Sequence, residues 1–293
     1  MSAPVRPPPA RADAAGAFGA GAAVGAADGV GAVGDPPVEA LTATTPRPLR
    51  ATLLTQTWLD VAFLHWPVAP ERVAPLLPAG TRPDVHDGST WVGLVGFRML
   101  GLGFGTLPGV PYFGTFAETN VRLYSVDHAG RRGVVFRSLD VPRLLPALVS
   151  RVWPRVPYTW SAMSAPVGPD FTYRTRRRWP RPARTVPPRA DGIVSRFVVR
   201  PGAAIAAPSD LERFLTARWG LHTTSLTGRP RYLPNDHPPW PLRRAEVLAL
   251  DDGPAGLVAA AGLPGVTSAP PASVLFSDGV RVRFGLPEPR VDC

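Results

Sequence analysis

The chain has 293 residues, 45% of them hydrophobic, enough to bury one large core or two small ones. All 32 basic residues are arginine against 22 acidic ones, so a formal charge of +10 comes without a single lysine, and Schiff-base chemistry on a lysine is excluded. The only cysteine, Cys293, excludes an intrachain disulfide and a thiolate metal cluster.

In chain order, residues 1–48 are Ala, Gly and Pro with almost no large apolar side chains. Such a segment cannot offset its chain entropy by burial and is expected to be a disordered tail, with residues 49–293 as one domain. It lacks a compact apolar run, and no stretch approaches the length of a membrane span, so a cytoplasmic protein is expected. Pro70, Glu71 and the stripe Val73, Leu76, Leu77 predict a short helix stopped at Pro78. Residues 82–85 and 90–99 read as a hairpin about Asp87-Gly88, and residues 113–126 and 133–140 as another about Ala129-Gly130. A helix is expected at 144–152 and strands at 170–178 and 193–200. Ser209 and Glu212 form a capping box, opening a helix through Leu211, Phe214, Leu215 and Trp219 to Gly220. Strands follow at 243–250 and 257–261, then a last hairpin, 273–276 and 280–284, about Asp278-Gly279. Many antiparallel strands with few helices predict an α+β, mostly β, fold: a curved antiparallel sheet or barrel with flanking helices.

The strand ending at Val126 carries the functional argument. Side chains alternate, so one face shows Ala117, Thr119, Val121, Leu123 and Ser125, and the other Phe116, Glu118, Asn120, Arg122 and Tyr124. Three polar groups are bracketed by two aromatics at a same-face spacing of about 6.6 Å, within reach of one small ligand. Glu118 and Arg122 lie about 13 Å apart along the strand, too far to pair with each other. A four-residue connection would oppose Arg122 to Arg137, an unfavourable like-charge pair. A three-residue connection over 129–131 would instead oppose Arg122 to Ser138 and Asn120 to Asp140. That register gathers Glu118, Asn120, Arg122, Ser138 and Asp140 into one polar cluster and is the expected one.

Other candidates weigh less. His65, between Leu64 and Trp66, fits a general base, though a lone histidine in an apolar run is more often a core residue with one satisfied hydrogen bond. Asp84, His86 and Asp87 sit at a turn already explained by Asp-Gly geometry, and no metal site is expected. No nucleotide loop is present, and no cofactor is expected. The arginines of 174–189 read as a solvated edge strand, with nucleic-acid binding the weaker alternative.

Several runs, taken in order, resemble the YqjF-like family of uncharacterised bacterial proteins: Gln56-x-Trp58, Phe63-Leu64-His65-Trp66, Leu76-Leu77-Pro78, the segment Asp84 to Trp91, Phe116-x-Glu118-x-Asn120-Val121-Arg122-x-Tyr124 and Phe136-x-Ser138-Leu139-Asp140. The resemblance spans Leu53 to Leu286 and implies the acetoacetate-decarboxylase-like superfamily, whose curved barrel encloses a small-molecule cavity. It implies none of that superfamily's lysine chemistry. The expected function is binding of a small molecule in an enzyme-like barrel, on a carboxylate- or carbonyl-bearing metabolite, without lysine. Arg122 would hold the anion, Asn120 orient it and Glu118 act as acid/base. The alternative is a ligand-binding module without turnover.

Overall fold

Runs of β-branched and aromatic residues at period two become strands in the computed structural model. It describes residues 36–105, 107, 109–110, 114–142, 156–165, 168–179, 192–225 and 227–289. The strands are β1 (Leu54–Val68), β2 (Thr81–Pro83), β3 (Thr90–Phe104), β4 (Phe116–Asp127), β5 (Arg132–Val141), β6 (Tyr158–Ser164), β7 (Phe171–Trp179), β8 (Val194–Ala204), β9 (Gly220–Thr224), β10 (Pro230–Asp236), β11 (Leu242–Asp251), β12 (Ser273–Phe284) and β13 (Glu288–Pro289). The helices among the described residues are short: α1 (Pro70–Val73), prolonged by a 3-10 turn at Ala74–Leu76, α2 (Asp210–Thr216) and α3 (Leu257–Ala260).

One sheet contains every strand, in the order β13-β10-β9-β5-β6-β7-β8-β11-β12-β1-β3-β4-β2, and it closes on itself through the extra pairings β4–β5 and β10–β12. The strands β12, β1, β3, β4 and β5 therefore form a wall shared by two closed circuits. One returns through β9 and β10, the other through β6, β7, β8 and β11. Most pairs are antiparallel, but β5 meets both β6 and β9 in parallel. A shared wall has no solvent face, which is why β4 is buried almost throughout. On one side Leu64, Leu94, Val121 and Leu123 pack with Tyr173 and Phe197. On the other, Trp91 and Tyr124 pack with Phe214, Leu221 and Leu233, and Phe63, Phe97, Met99 and Phe116 with Leu242.

The capping box at Ser209 and Glu212 forms in both directions and starts α2, which ends at Thr216, short of Gly220. Four expectations are corrected. Residues 82–85 do not pair with β3; β2 lies against the end of β4, with Arg82 opposite Val126. Residues 257–261 make a helical turn, because the Asp252 carboxylate accepts from the backbone N–H of Leu257 (2.8 Å) and Val258 (3.1 Å) and caps it. The last hairpin is one continuous strand, β12. Asp278-Gly279 sits opposite a bulge in β1 at Asp60, and Gly279 is glycine because a Cβ would overlap Trp58 O. Finally, part of the segment assigned to the tail is packed: Glu39 N–H donates to Gly130 O (2.9 Å) and Trp219 Nε1 to Thr42 O (3.2 Å). The helix expected at 144–152 lies outside the described residues.

Candidate functional site

The β4–β5 hairpin decides which polar groups meet. Its three-residue connection is 128–130, not 129–131. Asp127 Oδ1 accepts from the N–H groups of Ala129 (3.0 Å) and Arg131 (2.9 Å), and Gly130 takes the left-handed conformation (φ 74°) that ends such a loop. A bulge at Arg137 then shifts the register again, giving Arg122↔Phe136, Val121↔Ser138, Asn120↔Leu139 and Thr119↔Asp140. Arg122 thus avoids Arg137, but the expected cluster is split. A one-residue slip sends a side chain to the other face. Ser138 and Asp140 share the face of Val121 and Thr119, and there Asp140 accepts from Ser161 Oγ (2.6 Å) and from Arg177 Nε (3.0 Å) and Nη2 (2.8 Å). These two residues are removed from the candidate site.

Phe116, Glu118, Asn120, Arg122 and Tyr124 remain on one face, all buried, and the face looks into the circuit closed by β9 and β10. The cross-strand rows β1–β3–β4 bring His65 to them: His65 pairs with Gly93, and Gly93 with Arg122. Gly93 is what lets them meet, because a Cβ there would stand 3.0 Å from the imidazole and 3.2 Å from Arg122 Cγ.

At this end, Arg122 Nε donates to the Tyr124 hydroxyl (3.1 Å) and Nη2 to Leu215 O (2.8 Å), at the end of α2. The Tyr124 hydroxyl donates to Leu215 O (3.0 Å) and lies 2.8 Å from His65 Nε2. The Tyr124 contacts are satisfied together when His65 carries its proton on Nε2, which then stands donor to donor at 3.5 Å from Arg122 Nη2. Nδ1 is then a buried lone pair, without a partner among the described residues. Burial, reinforced by Arg122 and Arg218, holds the His65 pKa well below 6.5, so the ring is neutral. The guanidinium of Arg122 stands 5.2 Å from the Phe63 ring centroid and 5.5 Å from that of Tyr124. Among the described residues it has no carboxylate partner. That is unusual here, since buried Arg218 and the neighbouring Arg132 share Asp84.

The other end is built around Glu118. Tyr158 of β6 donates its hydroxyl to Glu118 Oε2 (3.2 Å), and Asn120 Nδ2 lies 3.4 Å from Oε1. Burial dominates these donors and pushes the Glu118 pKa up to about 8, so the carboxyl holds its proton at neutral pH. Asn120 Oδ1 is buried without a partner among the described residues. A protonated acid and a neutral base therefore flank a cation whose charge no carboxylate of the described residues balances. Tyr158 and the Leu215 carbonyl were missed from sequence, because only the strand order brings β6 and α2 to this face.

The remaining candidates are placed elsewhere. His86 lies against Asp87 (3.3 Å) and Phe214, and among the described residues no three potential ligands gather for a metal. Arg174, Arg176 and Arg178 are exposed on one strand, but β7 is not an edge: it pairs with β6 and β8. Arg181, Arg184 and Arg189 lie outside the described residues. No helix among the described residues is long and apolar enough to cross a membrane.

Comparison with known proteins gives a consistent placement. Residues 55–281 match the DUF2071 family, described as an uncharacterized conserved protein. The chain is 30% identical over 197 residues to the uncharacterized protein YqjF of Bacillus subtilis (strain 168), covering 66% of this chain and 76% of that one. Among solved structures, it is similar to an acetoacetate decarboxylase-like enzyme from Sphingomonas wittichii RW1 (TM-score 0.53, 14% identity, 84% of this chain and 96% of that one). It is similar also to acetoacetate decarboxylase from Legionella pneumophila (TM-score 0.52, 13% identity, 85% and 93%). The enduracididine biosynthesis enzyme MppR complexed with pyruvate has the same fold (TM-score 0.51, 15% identity, 83% and 92%). The shared fold, the family match and the identity to YqjF agree: this chain belongs to the DUF2071 family, on an acetoacetate-decarboxylase-like fold.

Proposed function

We propose that the chain binds a small carboxylate- or carbonyl-bearing metabolite at the interior face of β4, with Arg122 holding the anion, Asn120 orienting it and Glu118 exchanging a proton with it. The observation that carries this reading is the charge of Arg122. A buried ion without a counter-ion is costly, and an anionic ligand relieves that cost. Arg122 keeps Nη1 without a partner among the described residues, while its other nitrogens are fixed by Tyr124 and Leu215. Fixed donors that do not have to reorganise are what an anion site requires.

The chemistry then available is proton transfer. Glu118 carries a proton at neutral pH, and His65 Nδ1 offers a lone pair near the anion anchor. Both act without a covalent intermediate on lysine, in keeping with the composition. That MppR, on the same fold, is complexed with pyruvate supports the choice of small acids as probes.

The experiment is a thermal-shift panel of small carboxylic acids on wild type, Arg122→Met and Glu118→Gln. The expected result is stabilisation by at least one acid in wild type, lost in Arg122→Met. Retained binding with no turnover in both wild type and Glu118→Gln would favour a binding module over an enzyme. An equal shift in wild type and Arg122→Met would remove the anion anchor.

A further inference from the structure

Strand β5 changes partner along one of its edges. It meets β9 through the single pair Val134↔Leu221, and β6 from Leu139↔Tyr158 onward. Between these contacts, residues 135–138 have no strand on that edge among the described residues; β4 holds only the other. The bulge at Arg137 lies in this gap, and its guanidinium donates to Ala261 O (3.1 Å) and Leu76 O (3.0 Å).

A cavity of about 320 Å³ occupies the gap, lined by Val135, Phe136 and Arg137 of β5 and Leu221, His222 and Thr223 of β9. Successive residues of a strand point to opposite faces. The wall of the cavity therefore includes residues that belong to both faces of the sheet, where the strands part. Phe136, in its wall, is the cross-strand neighbour of Arg122. Pro157, the residue before the Glu118 donor Tyr158, is also in the wall. No acidic side chain lines the opening among the described residues, and Arg137 and Arg122 place positive charge on the two sides of Phe136.

We propose that this slot is the portal of the interior site, gated by Phe136 and selective for small anions over cations. The inference rests on the interior face being a ligand site, but its test does not need the ligand. In a Cys293→Ser background, Val95→Cys puts a reporter thiol on the interior face, because Val95 is the β3 partner of Asn120. Val92→Cys puts one on the opposite face of β3. Each is treated with a sulfonate-bearing and a trimethylammonium-bearing methanethiosulfonate, rates being normalised to the unfolded chain. The thiolate displaces methanesulfinate and forms a mixed disulfide.

At Val95→Cys the sulfonate reagent is expected to react faster than the ammonium one. Phe136→Ala should speed it by about tenfold, equivalent to ~1.4 kcal/mol of gating. Thr224→Trp, at another wall position, should slow it. Val92→Cys should ignore both changes. An inert Val95→Cys thiol, rates indifferent to both wall substitutions, or equal acceleration at Val92→Cys would overturn the portal. Carboxylate stabilisation through Arg122 that persists in any of those cases would leave the site standing and only its route wrong.

Discussion

Replacing Glu118 by glutamine should change how stability depends on pH. Burial raises the Glu118 pKa from an ordinary 4.5 to about 8 in the folded protein. Between these values the folded chain binds a proton that the unfolded chain has released, so the group contributes stability that is fully present below pH 4.5 and is lost as pH rises towards 8. Each unit of displacement is worth ~1.4 kcal/mol, so between pH 5 and pH 8 wild type should lose roughly 3–4 kcal/mol that Glu118→Gln, which does not titrate, keeps. Asn120 can still donate to the amide oxygen, and the amide NH2 can donate to the Tyr158 hydroxyl. The assay is urea denaturation of both proteins at pH 5, 6.5 and 8, reading the difference between them. Taking the difference cancels shifts common to both, such as the low pKa values of buried His65, His222 and His237. A difference that is flat with pH, or that moves against Glu118→Gln as pH rises, would refute the reasoning.

The other predictions concern charge and backbone. Arg122→Met should fold within about 1 kcal/mol of wild type, because an unbalanced buried charge gives way to hydrocarbon of similar length. Leu215 O still has Tyr124 as a donor. Equilibrium unfolding checks the first statement, and loss of every acid-induced melting shift checks the ligand role. Asp84→Ala should destabilise by roughly 3–5 kcal/mol, since it strands Arg132 and Arg218 together. A urea midpoint close to wild type would contradict that pairing. Gly130→Ala should cost at least ~1–2 kcal/mol of left-handed strain, and more because a Cβ would overlap Pro37 O. An effect no larger than strain alone, read from thermal unfolding, would show that residues 36–48 do not bear on the hairpin.

What could be read from the sequence was local. The alternation of Phe116, Glu118, Asn120, Arg122 and Tyr124 is a property of one strand, and it survives any choice of partner. The capping box at Ser209 likewise needs only its own residues. What could not be read depends on groups far apart. The Asp127 carboxylate and the positive φ of Gly130 fix the hairpin, and the Arg137 bulge, held by the carbonyls of Leu76 and Ala261, turns Ser138 and Asp140 to the opposite face. Asp278-Gly279 has the composition of a turn, yet its glycine answers to the Trp58 carbonyl across the sheet. His65 fitted either a core residue or a base, and only the row through Gly93 brings it beside Arg122. The edge-strand explanation of Arg174, Arg176 and Arg178 failed because nothing local reveals that β8 covers β7.

The most direct test is a crystal structure of the protein soaked with a panel of small carboxylic acids. A carboxylate bound at hydrogen-bonding distance from Arg122 Nη1, within reach of Asn120 and Glu118, is the predicted result. An interior packed solid around Arg122, with acids found only on the outer arginines, would contradict it.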